Sequence, residues 1–221
     1  MTCIVSKLFN QNYIMQEDRK KLLEEYQGDK PRHLVHPWLD YDRYRYSNKI
    51  ITTLKEKGED FSKLVVVDYG SGVGDYGFDF GRNGAEVYFY DNDTYCNFVK
   101  FRYEKEEKKF TCHVVYINSG NFFKDMVLGD PKRITVAIFG EVLEHLENPL
   151  EVLQQFVDNK TKYIFTSSYP FRNDDPNDDY WKHPGHVHDL PRQQQPACRE
   201  LLFKHYNRIQ YNGEASLWVL K

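Results

Sequence analysis

Short, nearly continuous apolar runs recur through the middle of the chain. They are LVVVD at 64–68, EVYFYD at 86–91, HVVYI at 113–117, ITVAIF at 134–139 and KYIFTS at 162–167. Runs of this length without polar alternation predict strands buried on both faces, as in a parallel sheet. The intervening segments carry helical spacing, and one of them, EVLEHLENPLEVLQQFV (141–157), predicts a helix. Before residue 63 the rhythm differs. Gln16 to Gln27 places Leu22, Leu23 and Tyr26 at helical spacing, and Asp42 to Lys57 does the same with Tyr46, Ile50 and Leu54 before Gly58. A proline-broken aromatic stretch, HLVHPWLDY, lies between them. The end of the chain leaves the alternation. A helix is expected from about Gln193 to Tyr206. Two apolar runs then flank Asn212-Gly213, the dipeptide that most favours a hairpin turn. The pattern therefore predicts an α/β fold: a doubly wound, mostly parallel, seven-stranded sheet closed by an antiparallel C-terminal hairpin. Residues 1–62 are expected as a helical extension or lid, and residues 63–221 as the main domain.

Composition narrows the class. The 221 residues suit one large domain, and 40% hydrophobic content is enough for a core. No run approaches the ~18 apolar residues of a membrane span. The first residues lack the layout of a secretion signal. Thirty basic against 33 acidic residues give a net charge of −3, which argues against a protein that coats long nucleic acid. Cys3, Cys96, Cys112 and Cys198 form no CxxC pair, so a reducing, cytoplasmic setting is expected. The 17 Tyr, 15 Phe and 3 Trp lead us to expect an aromatic-lined pocket.

The first apolar run leads into Asp68-Tyr69-Gly70-Ser71-Gly72-Val73-Gly74. Glycines at alternate positions allow positive φ and close approach of a ligand, and a helix N-terminus follows. No Lys-Ser/Thr pair follows, which excludes a phosphate-gripping P-loop. Gly72-x-Gly74-x-x-Gly77 matches the dinucleotide fingerprint. However, the run ends on Asp68, two residues before the first glycine. A carboxylate there suits a cationic ligand better than a pyrophosphate.

On these residues, 64–91 resemble the first half of a class I S-adenosylmethionine-dependent methyltransferase, whose motif reads D/E-x-G-x-G-x-G. The resemblance extends over about residues 60–221, including the final hairpin. It implies S-adenosylmethionine as cofactor. It also implies that Asp68 organises the loop, that Gly70, Gly72 and Gly74 lie under the methionine part, and that Asp91, followed by Asn92, holds the ribose. The adenine edge would meet Asn118-Ser119-Gly120, although the acidic residue often found in that loop is missing.

After the fourth run comes Gly140-Glu141-Val142-Leu143-Glu144-His145. No Asn/Asp-Pro-Pro-Tyr motif and no Pro-Cys nucleophile is present, which points to O-methylation. In a helix, positions 141, 144 and 145 would share one face and offer half of a divalent-metal site for Mg, Mn, Fe or Zn. The same residues serve equally in packing or substrate contact. A second histidine cluster, His183-Pro184-Gly185-His186-Val187-His188-Asp189, follows the fifth run. The motif with a later histidine is similar to ubiquinone-pathway O-methyltransferases and to small-RNA 3′-terminal 2′-O-methyltransferases. That resemblance implies Glu141, Glu144, His145 and His188 as ligands, with His186 second in line. It implies attack by one hydroxyl of a vicinal pair, with His145 or His186 as proton acceptor.

The segment from Ser168 to Trp181 is acidic and aromatic and is expected to wall the substrate site. Its charge disfavours RNA and favours a glycan or another small diol. RNA 2′-O-methylation is the alternative. A nicotinamide-dependent dehydrogenase and a non-catalytic cofactor-binding subunit are rivals from other classes. The oligomeric state is open.

Overall fold

The computed structural model describes residues 21–22, 24–29, 37–106, 109–126, 134–167, 169–170, 190–211 and 215–221. Helix α1 (Pro37–Glu56) leads through a 3-10 turn, Phe61–Lys63, into strand β1 (Val65–Tyr69). There follow α2 (Asp75–Arg82), β2 (Glu86–Asp91), α3 (Asp93–Lys105), β3 (Cys112–Tyr116) and the single-turn α4 (Phe122–Asp125). Strand β4 (Val136–Gly140) is followed by a 3-10 turn, Leu143–His145, then α5 (Pro149–Asp158) and β5 (Tyr163–Ser167). The chain closes with α6 (Leu190–His205), β6 (Tyr206–Gln210) and β7 (Ser216–Leu220).

The strands form one seven-stranded sheet in the order β3-β2-β1-β4-β5-β7-β6. β1 to β5 run parallel, whereas β7 lies antiparallel between β5 and β6. All five apolar runs are strands, as the pattern predicts. The hairpin dipeptide Asn212-Gly213 itself lies outside the described residues, as does most of the helix expected from Gln16, of which residues 21, 22, 24 and 25 are helical.

Side-chain alternation sorts the strand residues onto two faces. Val66, Val87, Phe89, Val136, Ile138 and Phe165 face one layer, where they meet Tyr46, Ile50 and Leu54 of α1, Phe78 and Phe80 of α2, and Val99 of α3. Val67, Tyr69, Tyr90, Ala137, Phe139 and Ile164 face the other, against Phe122 of α4, Leu153 and Phe156 of α5, and Leu202 of α6. The inner strands β1, β4 and β5 are buried along almost their whole length because both of their faces are covered. β1 and β4 are the central pair, and the order of connection reverses beside them. In open α/β sheets that reversal opens a crevice at the carboxyl ends of the strands.

The segment after β4 departs from the sequence reading. It is not one helix from 141 to 157. A 3-10 turn covers Leu143–His145, and the α-helix starts only at Pro149. Proline is favoured in the first turn of a helix, where its missing N–H costs nothing, and it restrains Asn148 from helical geometry. Asn148 has φ −126° and ψ 66°. Glu141 is further from a helix still, with φ +56°.

Candidate functional site

The turn after β1 runs along the carboxyl end of β2. Gly70, Gly72 and Gly74 have φ of +67°, +54° and +84°. At Gly70 this is compulsory for a second reason: a Cβ there would lie 2.1 Å from Val142 Cγ2, so the turn packs directly on the segment after β4. Gly70 N–H donates to Tyr90 O at 2.8 Å, Gly72 N–H to Asp91 Oδ2 at 2.7 Å, and Gly74 N–H to Ser71 O at 2.8 Å. Asp68 accepts from Gly77 N–H at 2.9 Å, which ties the end of β1 to the first turn of α2. The N-cap of α2 is Gly74, which has no side chain to do this.

Asp91 is buried at the end of β2. It takes Gly72 N–H on one oxygen and Asn92 N–H on the other, the latter at 2.7 Å. Asn92 caps α3, its side chain accepting from Thr94 N–H and Tyr95 N–H. Asp91 thus joins the turn after β1 to the start of α3. Ser71, within the turn, has a buried Oγ with no hydrogen-bond partner. A buried orphan hydroxyl beside a cradle of positive-φ glycines is what a site for a polar ligand presents when empty of protein donors.

Asn118 and Ser119 follow β3 on the same side of the sheet. Sequence reasoning missed the residue that shapes this loop, Asp125. Its carboxylate accepts from Asn118 N–H at 3.1 Å, Ser119 N–H at 3.1 Å, Ser119 Oγ at 2.9 Å and Tyr90 Oη at 2.8 Å. Burial pushes its pKa up, but these donors outweigh it and hold the carboxyl below the ordinary 3.8. The carboxylate that shapes this loop lies six residues beyond Ser119, in a one-turn helix, where sequence spacing carries no signal.

The Glu141–His145 segment corrects the expectation of one helical face. Glu141 N–H donates to Ser167 Oγ at 3.0 Å, which joins the ends of β4 and β5. Glu144 is 1% exposed, whereas Glu141 and His145 are half-buried. Among the described residues no group of three or more His, Cys, Asp or Glu side chains is placed to hold a metal ion. The left-handed Glu141 and the 3-10 turn replace the period of 3.6 on which the shared helical face depended. His186 and His188 lie outside the described residues, as does nearly all of 168–181. The expected aromatics are largely core: Tyr69, Tyr90, Phe139 and Phe156 pack ring on ring beneath the site. No helix among the described residues is long and apolar enough to cross a membrane.

No family model matches the sequence, and no curated protein matches it. Solved structures do. The magnesium protoporphyrin IX methyltransferase ChlM from Synechocystis PCC 6803, crystallised with bound SAH, superposes with a TM-score of 0.62 at 15% identity over 100% of both chains. Monomeric WbdD gives 0.56 at 15% identity over 91% of this chain and 48% of that one. The methyltransferase domain of bacterial CtHen1-C gives 0.53 at 17% identity over 81% and 98%. The antiparallel β7 inserted between β5 and β6 separates this sheet from the all-parallel order of the dinucleotide dehydrogenases. The chain has the class I methyltransferase fold.

Proposed function

We propose that this chain is an S-adenosylmethionine-dependent methyltransferase that methylates a hydroxyl of a small diol such as a sugar. The observation that carries the cofactor assignment is the junction of Asp91 with Gly72: a strand-ending carboxylate gripping a positive-φ glycine turn. When bound, the cofactor supplies an activated methyl group on a sulfonium. The chain has three tasks. Asp91 accepts from the ribose hydroxyls, the glycine turn lets the backbone approach the methionine part, and the loop at Asn118-Ser119, drawn in by Asp125, borders the adenine. The segment from Glu141 to His145 stands at the end of β4 against Gly70, so His145 is the described candidate to take the acceptor's proton, with His186 the second candidate. The absence of amino-methylating and cytosine-methylating motifs supports oxygen as the acceptor. The acidic and aromatic composition of residues 168–181 supports a neutral polyol over RNA. Among the described residues no three donors gather around a common ion, and no step is routed through a metal.

Calorimetry with S-adenosylhomocysteine and with NAD tests the cofactor. We expect binding of the first and none of the second, and the reverse would make the chain a dehydrogenase-like binder. Methyl transfer from labelled cofactor to a panel of sugars, phenols and RNA 3′ ends tests the acceptor. Methylation of RNA alone would overturn the polyol reading, and no turnover on any acceptor would favour a non-catalytic cofactor-binding subunit.

A further inference from the structure

The glycine turn is held on its far side by a buried cation that no part of the motif contains. Arg102, near the end of α3, is 4% exposed. Its Nη1 donates to Val73 O at 2.8 Å and to Asp75 Oδ1 at 2.9 Å, while Nε donates to Glu106 Oε1 at 2.7 Å. The guanidinium lies 4.1 Å from the ring centroid of Phe78, which closes its remaining face. Burial alone would lower the pKa of Arg102, but the carboxylates of Asp75 and Glu106 raise it, so the cation is fixed.

The atom Arg102 grips matters more than the ion pair. Val73 C=O and Gly74 N–H belong to one peptide plane. Arg102 holds its oxygen, and Ser71 O holds its N–H at 2.8 Å. Two residues earlier Asp91 holds Gly72 N–H. The 71–72 and 73–74 peptides of the turn are thus held by Asp91, just before α3, and by Arg102, in the last turn of the same helix. A turn of alternating positive-φ glycines has many low-energy alternatives, and rotation of the 73–74 peptide is the movement that would aim a carbonyl oxygen into the cradle.

We infer that Arg102 is a positioning residue for the cofactor: by clamping the carbonyl of Val73 it keeps the glycine turn in the conformation that admits S-adenosylmethionine. This rests on the proposed function for its ligand but not for its geometry. Lysine at 102 keeps the charge but cannot serve Val73 O, Asp75 and Glu106 together, because it lacks the planar fork.

The test pairs Arg102→Lys with Glu106→Gln in the full chain. Both loosen the buried cluster, but Glu106→Gln leaves the clamp on Val73. S-adenosylhomocysteine affinity should fall about tenfold in Arg102→Lys, as expected for one lost charge-assisted hydrogen bond. It should be unchanged in Glu106→Gln, even where both variants melt earlier. Hydrogen exchange without ligand should quicken at the amides of 72–75 in Arg102→Lys only. Equal affinity and equal exchange in Arg102→Lys and wild type would overturn the inference while leaving the cofactor reading intact. Affinity lost equally in both variants would reduce Arg102 to a purely structural residue. Failure of the wild type to bind S-adenosylhomocysteine would instead defeat the cofactor reading, and the exchange experiment would still decide whether Arg102 holds the turn.

Discussion

Two loops meet at the carboxyl end of the sheet, and they behave differently. The turn after β1 is held by backbone bonds at almost every residue, and its shape is written into glycine positions and strand-ending acids. The segment after β4 carries an equally suggestive string of residue types, yet it is not the helix that their spacing suggests. In the first loop the signal lies in the backbone, and local sequence restricts backbone conformation directly. In the second it lies in side chains whose common face requires a helix, and Pro149 sets the start of α5 eight residues beyond Glu141.

The sharpest way to break this contrast is Gly70→Ala. A Cβ would lie 2.1 Å from Val142 Cγ2 at φ +67°, so the two loops could no longer touch. We expect a loss of about 2–4 kcal/mol in urea unfolding, from overpacking added to backbone strain, together with loss of cofactor binding. Gly58→Ala is the control: its φ is +78° but nothing lies within 4 Å of the new methyl, so it should cost only about 1 kcal/mol. Equal costs would mean that contact between the loops is unimportant.

Next in size is Asp91→Asn. The amide would face Gly72 N–H and Asn92 N–H with one of its own donors, and S-adenosylhomocysteine affinity should fall at least ~10-fold. Unchanged affinity by calorimetry would remove Asp91 from the site.

Asp125→Asn should be milder, about 1–3 kcal/mol at neutral pH for weakened charge-assisted bonds. The sign follows from its depressed pKa. A carboxyl held below 3.8 in the folded chain contributes stability that is complete above that pH and is lost as pH falls through the folded value. The gap between wild type and variant in urea titrations should therefore close as pH drops below about 3.8. A gap that persists unchanged in acid would show that the carboxylate is not what holds Asn118 and Ser119.

The smallest expected effect sharpens the second half of the comparison. EDTA should leave both cofactor binding and methyl transfer in place, because no three metal-ligating side chains gather among the described residues. Turnover abolished by the chelator and restored by Mg or Mn would return the metal reading, with His188 as the completing ligand.

The fold was legible wherever a residue's own backbone preference or a run of burial sufficed. Five apolar runs became five parallel strands, and the three glycines of the turn after β1 all take positive φ. Asp125 and Arg102 were not legible. Each acts across 6 to 29 residues on backbone atoms outside its own helix, and no local pattern distinguishes a carboxylate or guanidinium that will be buried from one that will be solvated. The sequence by itself determined the layering and the cradle, since strand burial and positive φ are properties of single residues and short runs. Only the tertiary structure decided which charges brace that cradle and that the Glu-x-x-Glu-His string does not form one face. Those outcomes depend on where α3, α4 and α5 begin and what they pack against.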